Sequence, residues 1–192
     1  MKYNSDMALQ IDPSHAGEQG ESVAGPADRL TTDRWYVLHT RSRQEKAVAS
    51  QLVARKVNHF LPLVEQVHFY GNRKAVVELP LFPSYVFLHG TAEQAYEVDR
   101  TKRLVRIITV KDQQQIEWEL QNLRLALEKK APLDPYPYLK KGVRAEVKSG
   151  PFRGLQGVIE DRLKPERLLL QIDMLGRALC VEIDGALLEP VN

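Results

Sequence analysis

The order of apolar and polar positions divides the chain into two parts with different patterns. Between residues 34 and 130, short β-rich runs alternate with runs of helical spacing. After residue 140 only short strand-like runs remain, separated by Gly and Pro; Val143, Ala145 and Val147, for example, alternate with charged residues. We therefore expect an α+β layer structure followed by a small, closed β-barrel.

The first part contains recognisable starts and ends of helices and strands. Strands are predicted over residues 35–40, 58–63, 81–89 and 104–110, and a hairpin over residues 64–82. Helices are predicted within residues 41–56, 91–100 and 112–130. Thr91 and Asp112 are suitable N-caps for the second and third of these helices. The resulting order predicts an antiparallel sheet flanked by helices.

The stretch LFPSYVFL, residues 81–88, is apolar on both faces of its predicted strand. Strand alternation separates two sets: Pro83, Tyr85 and Phe87 point one way, and Phe82, Val86 and Leu88 point the other. We expect the second set to lie in the core. The first set is then an uncovered apolar patch, which in a monomer usually marks a binding surface.

Two segments have compositions that differ from the rest. Residues 1–33 are rich in Gly, Ser, Pro and Glu and poor in large apolar residues, which predicts a disordered tail. Residues 131–139 include three prolines, and this composition predicts an extended linker. The predicted domains are therefore residues 34–130 and 140–192.

Composition restricts the class of protein. The 192-residue chain is 43% hydrophobic and 27% charged, and its net charge is only +2, so nucleic-acid contacts would need local basic clusters. Its one cysteine, Cys180, can form neither an internal disulfide nor a cysteine zinc site, which fits a reducing compartment. No apolar run is long enough for a membrane helix. We expect a cytoplasmic protein without membrane contact.

Sequence motifs of catalysis are missing from the chain. There is no Gly-rich phosphate loop, no HExxH and no CxxC pair, and the five histidines lack the spacing of metal ligands. Cys180 is expected to be a small core residue rather than a nucleophile. We therefore expect no enzyme activity, catalytic residue, metal or cofactor.

Two stretches together resemble a known family. RWYVLHT, followed by FLPL and LFPSYVFL, is similar to the N-terminal (NGN) domain of the NusG family of transcription elongation factors. KKGVRAEVKSGPFRGLQGVIED resembles a KOW domain, an SH3-like β-barrel. The resemblance covers residues 34–191, and its details are closer to the specialised RfaH-like antitermination paralogues. It implies an NGN-type sheet joined by the Pro-rich linker to a KOW barrel.

The resemblance also implies a function and partners. In this family the NGN domain binds the clamp helices of the largest RNA polymerase subunit and suppresses pausing or termination. The KOW domain then recruits a partner, such as a termination factor or a small-subunit ribosomal protein. Two alternatives remain open: a KOW-type RNA-binding protein linked to the ribosome, or an adaptor that acts independently of polymerase. We expect a monomer.

Candidate contact residues follow from matching positions. The resemblance assigns polymerase binding to Val37, His39, Tyr85, Phe87 and Ile107. It assigns contact with the non-template DNA strand to Arg41, Gln51, Arg55 and Lys102, and we add the hairpin-tip cations Arg73 and Lys74.

The second domain carries one candidate contact and one structural glycine. Phe152, in the GPF loop, is the candidate anchor for a partner of the KOW domain. Gly157 matches the characteristic KOW glycine, and we expect its role to be architectural.

Overall fold

The structure, a computed structural model, describes residues 32–70, 73–136, 142–159 and 167–191. The predicted disordered tail lies outside the described residues except for its last two positions. Within the described ranges, no helix is both long and apolar enough to cross a membrane.

The described residues form strands in antiparallel pairs and three α-helices. In chain order the elements are β1 Arg34–Thr40, α1 Glu45–Ala54, β2 Asn58–Phe60, β3 Leu63–Tyr70, β4 Arg73–Pro80, β5 Tyr85–Gly90, α2 Ala92–Asp99, β6 Leu104–Thr109, α3 Gln113–Glu128, β7 Asp134–Tyr136, β8 Val143–Val147, β9 Gln156–Ile159, β10 Arg167–Ile172, β11 Arg177–Glu182 and β12 Leu188–Pro190. This mixed α/β content confirms the predicted fold class at that level.

The first part is built around a four-stranded sheet in the order β2-β5-β1-β6. Alternation gives it two apolar faces. On one face, residues such as Leu38, Val86 and Leu88 form a buried cluster with the apolar residues of α1 and α2. On the other, Val37 and Phe87 form a second cluster with the apolar residues of α3. The hairpin β3–β4 is a separate two-stranded sheet.

Two predicted helix caps are confirmed. The hydroxyl of Thr91 accepts from the backbone N of Gln94, and the backbone N of Thr91 donates to Oε1 of Gln94. These two bonds complete a capping box. The Asp112 carboxylate accepts from the backbone N of Gln115 at 2.8 Å. These local bonds satisfy amide groups that have no partner in the first helical turn.

Helix α1 buries one face against the sheet. Val48 and Leu52 are buried, but Val53 is 64% exposed. Because consecutive helical residues point about 100° apart, Leu52 and Val53 cannot both face the sheet.

The predicted strand from Leu81 begins only at Tyr85. Strand alternation therefore does not apply to Phe82, and its predicted grouping with Val86 and Leu88 is wrong. Phe82 instead packs edge-on against Phe87, with ring centroids 6.3 Å apart and an interplanar angle of 85°.

The second part is a six-stranded sheet in the order β12-β8-β9-β10-β11-β7. Strand β7 lies within the predicted linker, yet it pairs antiparallel with β11, where Leu179 is opposite Pro135. This part of the Pro-rich segment is therefore an edge strand rather than a free spacer, while residues 137–139 lie outside the described residues. Cys180 is buried in β11, and burial raises the pKa of its thiol above the ordinary 9.0.

Gly157 is required where β9 approaches β10. A Cβ at this position would lie 2.5 Å from the carbonyl oxygen of Leu169 and 2.9 Å from Cγ of Leu168. A backbone atom at that distance cannot move aside like a side-chain end, so glycine is needed for strand packing.

We expect Gly157→Ala to destabilise the second sheet by about 1–3 kcal/mol, because the methyl group overpacks a strand contact. Denaturant unfolding of the full chain measures the loss. Gly154→Ala is the comparison, since its added methyl meets no atom within 4 Å and only strains a backbone with φ of +85°. Equal stability of wild type and Gly157→Ala would contradict the steric account.

Candidate functional site

An aromatic pair lies at one end of the sheet face covered by α3. His39 on β1 is directly opposite Tyr85 on β5. Their rings stack with centroids 5.1 Å apart and an interplanar angle of 20°. Both side chains are half-buried, and Nδ1 of His39 is buried with no hydrogen-bond partner among the described residues. The pair therefore offers a rigid, partly accessible ring surface, while Nδ1 of His39 is shielded from solvent.

Val37 and Phe87 occupy the same face but are not accessible. Both are 0% exposed. Phe87 also contacts Phe60 on β2, at 6.4 Å between ring centroids. The predicted outward exposure of Phe87 is therefore wrong, because α3 and neighbouring rings cover it. In this arrangement Val37 and Phe87 support the aromatic pair from the core.

Ile107 lies on the opposite face from the other predicted polymerase contacts. It is opposite Leu38 in the β1–β6 register, and its half-buried side chain packs against the cluster beneath α1 and α2. Grouping it with Val37 was wrong because successive strand residues face opposite sides. The residue opposite Val37 is Ile108, which packs partly buried against the α3 cluster.

The turn before Tyr85 is held by a buried carboxylate. Ser84 has a left-handed backbone with φ of 68°, and its N–H donates to Oε1 of Glu45 at 2.7 Å. The Ser84 carbonyl accepts from the backbone N of Thr40 at 2.8 Å. Glu45, at 6% exposed, therefore fixes the entry to β5. Sequence reasoning placed Glu45 in a helix but gave it no role.

A basic cluster adjoins the aromatic pair. The backbone N of Arg41 donates to the carbonyl of Arg103 at 2.8 Å, which brings the start of α1 beside the turn that contains Lys102. Arg106 is opposite His39 across the β1–β6 pair, so it extends the cluster to the aromatic rings. Sequence reasoning missed Arg106 as a site residue, because cross-strand register is not readable from one strand.

The other predicted DNA contacts lie elsewhere. Arg55 is exposed at the far end of α1, and its Nη1 donates to the carbonyl of Gln51 at 3.3 Å. Ten helical residues separate that end from Arg41 by about 15 Å. Arg73 and Lys74 are exposed at the start of β4, one hairpin length, roughly 25 Å, from its base. The structure therefore brings Arg41 and Lys102 together and leaves the others apart.

A cleft opens between the two parts of the chain. It has a volume of about 710 Å³. Its first-part wall includes Val64 and Val77 of the hairpin and Pro83 of the turn, and its second-part wall includes Arg177 and Leu179 of β11. The turn before Tyr85, with Pro83 and Ser84, therefore lines a cleft that faces the second sheet.

The loop containing Phe152 is less exposed than a free anchor would be. Phe152 is half-buried and packs partly against the large apolar cluster. The ranges that the structure describes contain no group of three or more His, Cys, Asp or Glu side chains placed to hold a metal ion.

A comparison with protein families finds a match to the first part of the chain. The family model described as transcription termination factor NusG matches residues 33–124. This part of the chain is therefore similar to the NusG family. The match contains β1, the aromatic pair, the basic cluster and most of α3.

The similarity to curated NusG proteins extends beyond the residues that the family model matches. The transcription termination/antitermination protein NusG of Rickettsia bellii (strain RML369-C) is 26% identical over 166 residues, which cover 79% of this chain and 87% of that protein. The NusG protein of Halalkalibacterium halodurans is 25% identical over 178 residues, covering 82% of this chain and 98% of that protein. The similarity to NusG therefore continues into the second sheet.

A solved structure is also similar to this chain. It is the crystal structure titled MjSpt4:Spt5 complex conformation B, with 18% sequence identity and a TM-score of 0.28. The match covers 82% of this chain and 97% of that chain.

We expect Glu45→Ala to destabilise the first part of the chain by about 1–3 kcal/mol, because it leaves the part-buried N–H of Ser84 without its acceptor. Chemical denaturation checks this value. The neighbouring Lys46→Gln is the control, since Lys46 makes only an exposed pair with Glu78 at 3.8 Å and should change stability by less than about 1 kcal/mol. A Glu45→Ala effect no larger than the control would contradict the proposed anchor.

Proposed function

We propose that this chain is a transcription termination or antitermination factor that binds the clamp helices of RNA polymerase through its NusG domain. The observation that carries the proposal is the half-buried His39–Tyr85 stack on a domain of this family. Stacked rings provide a large contact area with few rotatable bonds, which is typical of residues that dominate protein interfaces.

The contact surface of this proposal is narrower than the sequence predicted. His39 and Tyr85 touch the polymerase, with half-buried Ile108 and exposed Pro83 at their sides. Val37 and Phe87 hold these groups from below. Ile107 is left out, because it faces α1 and α2.

We expect His39→Ala combined with Tyr85→Ala to weaken binding to purified core RNA polymerase by roughly tenfold or more, since each ring is a candidate interface anchor. Equilibrium binding of the labelled full-length chain measures the change. Val53→Ala removes an exposed apolar side chain on α1 and is expected to bind normally.

A second variant separates contact from support. Phe87→Ala should cost about 3–5 kcal/mol of folding stability, because it empties a fully buried site.

Unchanged polymerase affinity of the folded His39/Tyr85 double variant would contradict the proposed surface. Co-purification with ribosomal subunits alone would favour the ribosome-linked alternative.

The basic cluster supplies the proposed contact with the non-template strand. Arg41, Lys102 and Arg106 are exposed and adjoin the aromatic pair, so a chain bound at the clamp would present them together. Phosphate contacts give affinity without sequence information and depend strongly on salt. The proposal therefore assigns strand positioning to this cluster and leaves Gln51, Arg55, Arg73 and Lys74 as separate, weaker candidates.

We expect Arg41→Gln combined with Lys102→Gln to lower the salt slope for single-stranded DNA binding by about 1.4, because each lost phosphate contact removes about 0.7. Fluorescence anisotropy of a labelled oligonucleotide with the full chain, over a series of salt concentrations, measures the slope. Arg73→Gln combined with Lys74→Gln removes the same charge at the hairpin tip. If the tip variant alone lowers the slope, the DNA path runs along the hairpin instead.

The second sheet would recruit a further partner, a termination factor or a small-subunit ribosomal protein. Phe152 is the proposed anchor. Since Phe152 is already partly buried against the apolar cluster, the anchor would be a rigid edge of the loop rather than a free side chain. The same proposal includes that this chain suppresses pausing and that it is specialised like the RfaH-like antitermination factors.

A further inference from the structure

The hairpin β3–β4 stands apart from the two larger sheets. Its strands, Leu63–Tyr70 and Arg73–Pro80, pair with each other and with no other strand of the described residues. A two-stranded hairpin is at best marginally stable in water unless one of its faces is covered. What lies against each face of this hairpin therefore decides how it is stabilised.

One face of the hairpin lines the cleft, and the other faces solvent. Val64, Val77 and Leu79 are half-buried on the inner face, which forms part of the cleft wall. Strand alternation places Val67 and Val76 on the opposite, outer face. They are directly opposite each other in the register, and their exposed fractions are 48% and 58%. The outer face therefore has an exposed apolar row at its centre.

Charged residues flank this apolar row with opposite signs at its two ends. Towards the base of the hairpin, Glu65 is directly opposite Glu78. Towards the tip, strand alternation places Lys74 on the same outer face. All of these side chains are exposed. The outer face is thus acidic at the base, apolar at the centre and basic towards the tip.

The acidic row is not fully compensated within one copy of the chain. Like charges directly opposite each other on paired strands are destabilising. Within the ranges that the structure describes, the ion pair of this row joins Glu78 to Lys46 at 3.8 Å. One cation therefore serves two carboxylates, and a further cation would be favourable here.

The outer face is complementary to itself. If two copies lie face to face with their strands reversed, a two-fold axis runs along the Val67–Val76 row. The valine rows then meet, and Lys74 of each copy faces Glu78 of the other. The symmetry makes this contact twice. Facing sheets lie about 10 Å apart, a gap that a lysine and a glutamate side chain span together.

We propose that the outer face of the hairpin is a self-association surface, and that its occupant is the same face of a second copy of this chain. Nucleic acid fits this face less well, because the carboxylates outnumber the lysine. The area is below the roughly 1,200 Å² of standard interfaces, so we expect a reversible dimer with a dissociation constant on the order of 100 µM. In dilute solution the chain is then the monomer that the sequence predicts. The proposal does not depend on polymerase binding.

Sedimentation velocity of the full chain tests the proposal over a range of about 5 to 500 µM, which brackets the expected dissociation constant. The weight-average sedimentation coefficient should rise with concentration towards that of a dimer. The rise should be smaller at high salt, because salt screens exposed ion pairs.

Charge variants test the reversed, two-fold arrangement. Lys74→Glu and Glu78→Lys should each remain monomeric over the same range, because like charges then meet at both symmetry-related contacts. An equimolar mixture of these two single variants should form a heterodimer, since every facing pair is again opposite in charge. The combined Lys74→Glu and Glu78→Lys variant should self-associate as wild type does, for the same reason.

Valine variants test the apolar centre of the face. Val67→Thr combined with Val76→Thr keeps the branched shape and the strand preference, and should raise the dissociation constant by roughly tenfold or more. Val105→Thr on β6 changes another exposed valine, 59% exposed, and should associate like wild type. Far-ultraviolet circular dichroism checks that each variant is folded. If the valine variant does not fold, the charge variants at exposed positions decide the question.

A wild-type sedimentation coefficient that does not change with concentration would overturn the proposal. So would single charge variants that associate as wild type does, or a mixture of them that stays monomeric. If the wild type stays monomeric and the valine variant loses affinity for RNA polymerase or for DNA, the outer face belongs to that partner instead.

Discussion

Burial of helix α3 on two sides is the constraint on which the arrangement of the molecule depends. Towards the first sheet, Ile116, Leu120 and Leu123 join the cluster that contains Val37 and Phe87. At the start of the helix, the Gln113 side chain accepts from the Trp35 backbone N at 2.7 Å and so fixes α3 to β1. On the other side, Trp118, Glu119 and Asn122 meet the second sheet through hydrogen bonds. The same apolar cluster also contains Val147, Leu168 and Leu170 of the second sheet, so α3 is buried against both sheets.

The same helix determines which part of the apolar face remains available for a partner. It covers Val37 and Phe87 and leaves the His39–Tyr85 end half-buried next to Arg106. A binding surface therefore consists of a small aromatic area beside positive charge rather than a whole sheet face. Such an area relies on a fixed geometry, which Glu45 provides by holding the turn before Tyr85.

The second sheet has one steric requirement within itself and one hydrogen-bonded contact with the first part of the chain. Gly157 allows β9 and β10 to approach, and this requirement is local and independent of the first part. Glu119 on α3 accepts from the backbone N of Asp173, which follows β10, so this hydrogen bond joins the two parts of the chain.

The sequence alone determined the helices, most strands and the family resemblance, because these depend on local periodicity, caps and contiguous motifs. Thr91 and Asp112 cap their helices as predicted, since capping needs only neighbouring residues. Tertiary structure alone decided the exposure of Phe87, the face of Ile107, the pairing of β7 with β11 and the positions of Glu45, Glu119 and Arg106. Strand alternation tells which residues share a face, but it cannot tell which helix covers that face. Register and packing between distant segments decide that, and these contacts leave no periodic signal in the sequence.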